Sequence, residues 1–145
     1  MDVEKYRKME FLEIAQRYFS ALEYSELQAI PAQDLQRYFF SCWTRKEALL
    51  KGLGEGIGNL LDQVSVSLGS GAPEITCFRG NPDVSRRWCL MDVNVDPDYA
   101  AAIAFEGKAV QVCHWLFETQ RVEQLVARER NGQQVSADGD PPFQR

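Results

Sequence analysis

The chain has 145 residues with 45% apolar content, enough for one domain with a real core. Its formal net charge of −5 argues against a nucleic-acid surface, which needs a basic stripe. No apolar run approaches the roughly 18 residues of a membrane span, and the N-terminal MDVEKYRKMEF lacks the apolar stretch of a signal peptide, so the expectation is a cytoplasmic chain.

In chain order, Met1 is followed by an acid, an apolar residue and an acid. In extended backbone Asp2 and Glu4 point to the same side. Two carboxylates so placed are how a hard divalent cation is often held, though by themselves they read first as a solvated terminus. Phe11, Ile14, Ala15, Tyr18, Phe19 and Leu22 recur at helical spacing and predict a helix over residues 5–19. Ser20-Ala-Leu-Glu23 has the form of a capping box, which predicts a break and a short helix to about residue 29. Pro31 fits the first turn of a third helix, 32–51.

On that third helix Leu35, Phe39, Cys42, Trp43, Leu49 and Leu50 share one face. Lys46 falls in the middle of it, and a buried ammonium needs an anion. Glu47 and Lys51 lie four apart on the flank, the spacing of an ordinary surface ion pair. Gly52, Gly54 and Gly56 then follow, where one glycine would end a helix.

Beyond Gly58 the period changes. Val64-Ser-Val66-Ser-Leu68 alternates as a half-buried strand does. Further short strands are predicted at 74–78, 88–95, 99–106 and 110–117, separated by turn-rich segments such as Arg79-Gly-Asn-Pro82 and Asp96-Pro97. A short helix is expected at 118–130, with Thr119 as a cap, and a disordered polar tail at 131–145. Helices followed by a meander point to an α+β fold, with helices packed on a small, mostly antiparallel sheet. Cys42, Cys77, Cys89 and Cys113 show no CxxC spacing and His114 is the single histidine, so no zinc site is expected; the thiols are read as reduced and His114 as structural.

Trp43-Thr-Arg-Lys46-Glu47-Ala-Leu-Leu-Lys51, with its glycine-rich turn, resembles the signature helix of 4′-phosphopantetheinyl transferases of the Sfp type, W-T-x-K-E-A-x-x-K. Asp2-Val3-Glu4 resembles the end of that family's other motif, G-[IV]-D-[IV]-E. Ala15-Gln-Arg17-Tyr-Phe19-Ser20, Glu23, Pro31, Trp88 and the segment from Tyr99 to Ala104 also fit, so the resemblance runs from Asp2 to about Ala104.

The resemblance implies one domain over 1–117, the family's second lobe, and a reaction: transfer of phosphopantetheine from coenzyme A to a serine of an apo acyl or peptidyl carrier protein. It implies Mg2+ held by Asp2, Glu4 and Glu47. Glu47, or a metal-bound water, would take the serine proton, and Lys51 would serve both catalysis and binding. Lys46 and Lys51 would contact the pyrophosphate, which would be the anion Lys46 requires. Trp43 would set its helix against the sheet.

Sfp-type members have two similar lobes with coenzyme A between them, and no counterpart of the first lobe's basic residues and histidine is present here. Most of the strand that precedes Asp2 in the family is also lacking, which predicts an exposed sheet edge with Asp2 and Glu4 on a fraying terminus. The expectation is therefore a missing N-terminal lobe or self-association, as in the single-lobe holo-acyl-carrier-protein synthases. The alternatives are a truncated, inactive lobe, a non-catalytic carrier-protein-binding module, or a purely structural domain.

Overall fold

The computed structural model describes residues 1–55, 60–69, 71–107 and 112–113. The chain divides into two compact units, Met1–Val110 and Gln111–Arg145. Of the second only Val112 and Cys113 are described, both exposed. The expected strand at 110–117, apart from those two residues, and the expected helix and tail beyond it lie outside the described residues.

The first unit opens with strand β1 (Asp2–Lys5), then helices α1 (Phe11–Tyr18), α2 (Ala21–Gln28) and α3 (Ala32–Gly52). A 3-10 turn (Leu61–Gln63) leads into β2 (Val64–Val66) and β3 (Ile75–Phe78). Helix α4 (Pro82–Arg87), β4 (Trp88–Asp92) and β5 (Tyr99–Glu106) complete it. The fold is α+β.

Helix α3 is the axis. Pro31, at φ −57° and ψ 142°, stands before it and cannot extend it backwards. Phe39, Phe40, Leu49 and Leu50 are at most 1% exposed. Each such side chain contributes about 1.5–3 kcal/mol of apolar burial. Helix α3 packs chiefly along β5, whose Ala100, Ala101 and Ala102 are all buried. Small side chains in the middle strand let the helix axis approach the sheet closely.

Among the described residues two sheets form, both antiparallel: β1-β5-β4 and the ribbon β2-β3. A simple meander is therefore not what the strands build. The N-terminal strand inserts beside the last one, so Asp2, Ala102 and Asp92 lie in one row across the sheet. In place of a fraying terminus, all four residues of β1 pair with β5, and β1 forms the edge of its sheet.

The helix expected over 5–19 begins only at Phe11. Lys5 pairs with Tyr99, and the Tyr6 amide donates to Asp98 O at 2.8 Å, so the sheet ladder claims the residues that the helical period had suggested. The capping box at Ser20 forms as read: Ser20 Oγ accepts from the Glu23 amide and Glu23 Oε2 from the Ser20 amide. Helix α4 replaces an expected turn; Asn81 accepts from the Asp83 amide and Pro82 takes the first turn. The strands expected at 64–68 and 88–95 are shorter, ending at Val66 and Asp92.

Trp43 stacks on Phe39 of its own helix at 5.8 Å and meets Phe19 and the α1 residue Tyr18, so its ring contacts tie α3 to α1.

Candidate functional site

The second half of α3 is buried on almost every side, and its polar residues Thr44, Arg45, Lys46 and Glu47 are buried with it. A buried charge must find a partner or fold poorly. Arg45 and Lys46 find theirs on other elements, Asp92 and Glu23, whereas Glu47 has Lys51 of its own helix at 4.0 Å.

Lys46 has no exposure, and its Nζ donates to Glu23 Oε2 at 2.5 Å. Glu23, 1% exposed, also accepts from the Ser20 amide through Oε2 and from the Val66 amide through Oε1. An anion for Lys46 is therefore supplied from within, by Glu23 of α2. Glu23 was absorbed by the capping-box reading; a capping glutamate also facing a lysine on an apolar stripe was the signal available. Burial pushes the nearby Cys42 thiol well above its ordinary value, with Glu23 adding to the rise, so this cysteine is an inert core residue.

Arg45 is 2% exposed and grips Asp92 with both ends of its guanidinium, Nε to Oδ1 at 2.8 Å and a terminal nitrogen to Oδ2 at 2.5 Å. It also donates to Ser67 O at 2.5 Å. This fork fastens α3 to the ribbon and to β4. A cleft of about 220 Å3 beside it is lined by Arg37, Tyr38, Ser41, Arg45, Leu68, Gly69 and Asp92. It contains none of the residues singled out for chemistry.

Asp2 and Lys51 meet on the other flank of α3. Lys51 Nζ donates to Asp2 Oδ1 at 2.6 Å and stands 4.0 Å from Glu47 Oε2. Asp2 is 7% exposed and Glu47 5%, whereas the Lys51 side chain is 42% exposed. Burial raises the Glu47 pKa from its ordinary value; Asp2 adds to the rise, Lys51 opposes it and Glu4 adds again. The hydrogen bond to Asp2 raises Lys51. Glu4, on the same side of β1 as Asp2, bonds Arg7 at 2.8 Å. The structure thus brings Asp2, Glu47 and Lys51 together with Glu4 close by, and leaves Lys46 enclosed among other partners.

The turn after α3 is shaped by two glycines. A Cβ on Gly52 would meet the Trp88 ring at 2.5 Å, so the glycine admits the indole against the helix end. Gly54 takes φ +72°, which glycine adopts freely. Glu55, one turn beyond Lys51, pairs with Arg79 at 3.3 Å.

A divalent cation fits the chemistry of the donors. All are carboxylate oxygens, and Asp2 Oδ2 is buried without a hydrogen-bond partner among the described residues. Among the described residues, no three acidic, cysteine or histidine side chains are drawn into a metal cage; Lys51 holds Asp2 and Arg7 holds Glu4.

A model of the 4′-phosphopantetheinyl transferase superfamily matches residues 1–104. The chain belongs to this superfamily. The 4′-phosphopantetheinyl transferase HetI of Nostoc sp. (strain PCC 7120) is 32% identical over 116 residues, which are 79% of this chain and 46% of HetI. The 4′-phosphopantetheinyl transferase Sfp of Bacillus subtilis is 35% identical over 106 residues, 71% of this chain and 44% of Sfp. The chain therefore spans a little under half the length of these transferases. A crystal structure of Helicobacter pylori holo-[acyl-carrier-protein] synthase in complex with coenzyme A superposes with a TM-score of 0.53. The overlap covers 73% of this chain and 96% of that one, and at 21% identity the likeness is one of fold. Asp2, Glu4, Glu23, Lys46, Glu47 and Lys51 all fall inside the range that the transferase model matches. No helix among the described residues is long and apolar enough to cross a membrane.

Proposed function

We propose that this lobe transfers the phosphopantetheine arm of coenzyme A to a serine hydroxyl of an apo carrier protein. The observation that carries the reading is the bond from Lys51 to Asp2 across 49 positions of sequence, beside Glu47. Two motifs so far apart have no local reason to share a point in space.

The serine Oγ attacks the phosphorus that bears the pantetheine arm. The bond from that phosphorus to the bridging oxygen breaks, and adenosine 3′,5′-bisphosphate leaves. Glu47 takes the serine proton; its raised pKa, caused first by burial, brings the carboxylate closer to neutrality and suits it to proton transfer. Lys51, half open to solvent, contacts the pyrophosphate. Lys46 enters as a second pyrophosphate cation only by breaking its pair with Glu23, so its share of binding is expected to be the smaller. Mg2+ held by Asp2, Glu4 and Glu47 would neutralise the phosphates and orient the leaving group.

Because the related transferases are about twice as long, the adenine end is proposed to need a second lobe, from a further segment, another chain or a second copy. The same half-length match favours one other reading, a lobe that binds carrier protein without turnover.

A transfer assay separates them. The purified chain is mixed with coenzyme A, Mg2+ and an apo carrier protein, and the carrier's intact mass is read. A gain of one phosphopantetheine that is lost with EDTA, and lost in a Glu47→Gln variant, is expected. A folded chain that retains the carrier on a column but adds no mass would establish the non-catalytic reading instead.

A further inference from the structure

Lys51 has two roles that a single ammonium does not fill at once. In the reading above it contacts a pyrophosphate. In the structure its Nζ bonds Asp2 Oδ1 at 2.6 Å and leans 4.0 Å from Glu47 Oε2, inside the carboxylate group assigned to the cation. Asp2 is nearly enclosed, with Oδ1 engaged by Lys51 and Oδ2 buried without a partner among the described residues. A carboxylate so enclosed needs a positive neighbour. The Lys51 stem is 42% exposed and carries a compact charge on four flexible carbons, so the ammonium can leave toward water without disturbing the core. Lys46 and Arg45 lack that freedom, being fully enclosed and held by Glu23 and Asp92.

Resting on that reading, we propose that Lys51 is an exchangeable counter-cation: its ammonium and a divalent cation are alternative partners of Asp2, and the arriving cation turns Lys51 outward to meet the pyrophosphate. A divalent cation on Oδ2 would still face the ammonium held on Oδ1 of the same carboxylate, and two positive charges so close repel strongly, so the one on the flexible, half-exposed side chain yields. The neighbouring carboxylates Glu47 and Glu4 favour the doubly charged ion, and the bond to be given up is one pair on a half-exposed side chain. Cation binding and pyrophosphate binding are then coupled through Lys51, each raising the affinity for the other. The bland alternative is a fixed structural pair, in which Lys51 stays on Asp2 whatever the solution contains.

The deciding experiment uses the unmodified chain. Lysines are labelled by reductive methylation with and without Mg2+ and read peptide by peptide by mass spectrometry, while Mn2+ binding is followed in parallel by electron paramagnetic resonance. Labelling of Lys51 is expected to rise several-fold with Mg2+, with Lys5 and Lys8 unchanged. A Lys51→Met variant is expected to bind Mn2+ about tenfold more tightly and inorganic pyrophosphate more weakly, a coupling of ordinary size. If Mn2+ binds and Lys51 labelling does not move, the exchange is wrong and the cation site stands. If Mn2+ binds neither chain, the cation assignment falls together with the exchange. The labelling result decides even if the variant fails to fold.

Discussion

Lys46 loses all its hydration on folding, and Glu23 is the group that compensates it. Glu23→Ala would leave the ammonium buried and unpaired, and is expected to cost about 3–5 kcal/mol in a urea titration. Replacing both partners by apolar residues, Glu23→Leu with Lys46→Met, should recover much of that loss, since the penalty belongs to the orphaned charge. Glu47 obeys a different rule, because burial favours its protonated form. Its folded pKa lies above the unfolded value, so its stabilising contribution is complete below the ordinary carboxylate range and is lost as pH rises through the raised value. Glu47→Gln is neutral throughout. It is expected to melt above the parent chain at neutral pH, with the gap closing as pH falls below the carboxylate range, while transfer is abolished. A variant that melts lower at pH 7 would contradict this account of Glu47.

Among the elements, α3 owes its position to its two ends. At its C-terminus the Trp88 ring occupies the space a Gly52 side chain would need. Gly52→Ala is expected to cost about 1–3 kcal/mol and to displace the turn that follows Lys51, lowering transfer as well as the melting point. Helix α2 depends on its capping box, so Ser20→Ala should cost about 1 kcal/mol by thermal melting and should also loosen Glu23, which the box helps to hold. These helices were legible because caps and periodicity are local. Helix α1 was read six residues too early because the pairing of β1 with β5 is not local, and Lys5 looks like a helix starter until its Tyr99 partner is known. Helix α4 carried its own signal in Asn81 and Pro82, which a turn assignment absorbed.

For the whole molecule, the placement of β1 beside β5 is what brings the distant charges together. It lays Asp2 and Asp92 in one row on either side of Ala102, so that α3 receives a carboxylate on each flank, Asp2 for Lys51 and Asp92 for Arg45. Ligand that binds only the folded chain stabilises all of it. Coenzyme A with Mg2+ at 100 times its dissociation constant is expected to add about 2.7 kcal/mol, seen as a higher melting temperature. A chain that melts identically with and without them lacks the proposed binding site.

What could be read from the order of residues was whatever is written locally: the caps, the helical period of α3, the glycines after it, and the W-T-x-K-E-A-x-x-K signature that places the chain in its superfamily. The pairing of the charges was not legible there. Lys46, Glu47 and Lys51 sit within six positions of one helix, yet one faces Glu23, another lies near Asp2 and Glu4, and the third holds Asp2 itself. Helical periodicity separates their directions, but the element waiting in each direction follows from sheet order and from the packing of α2, which only long-range contacts define.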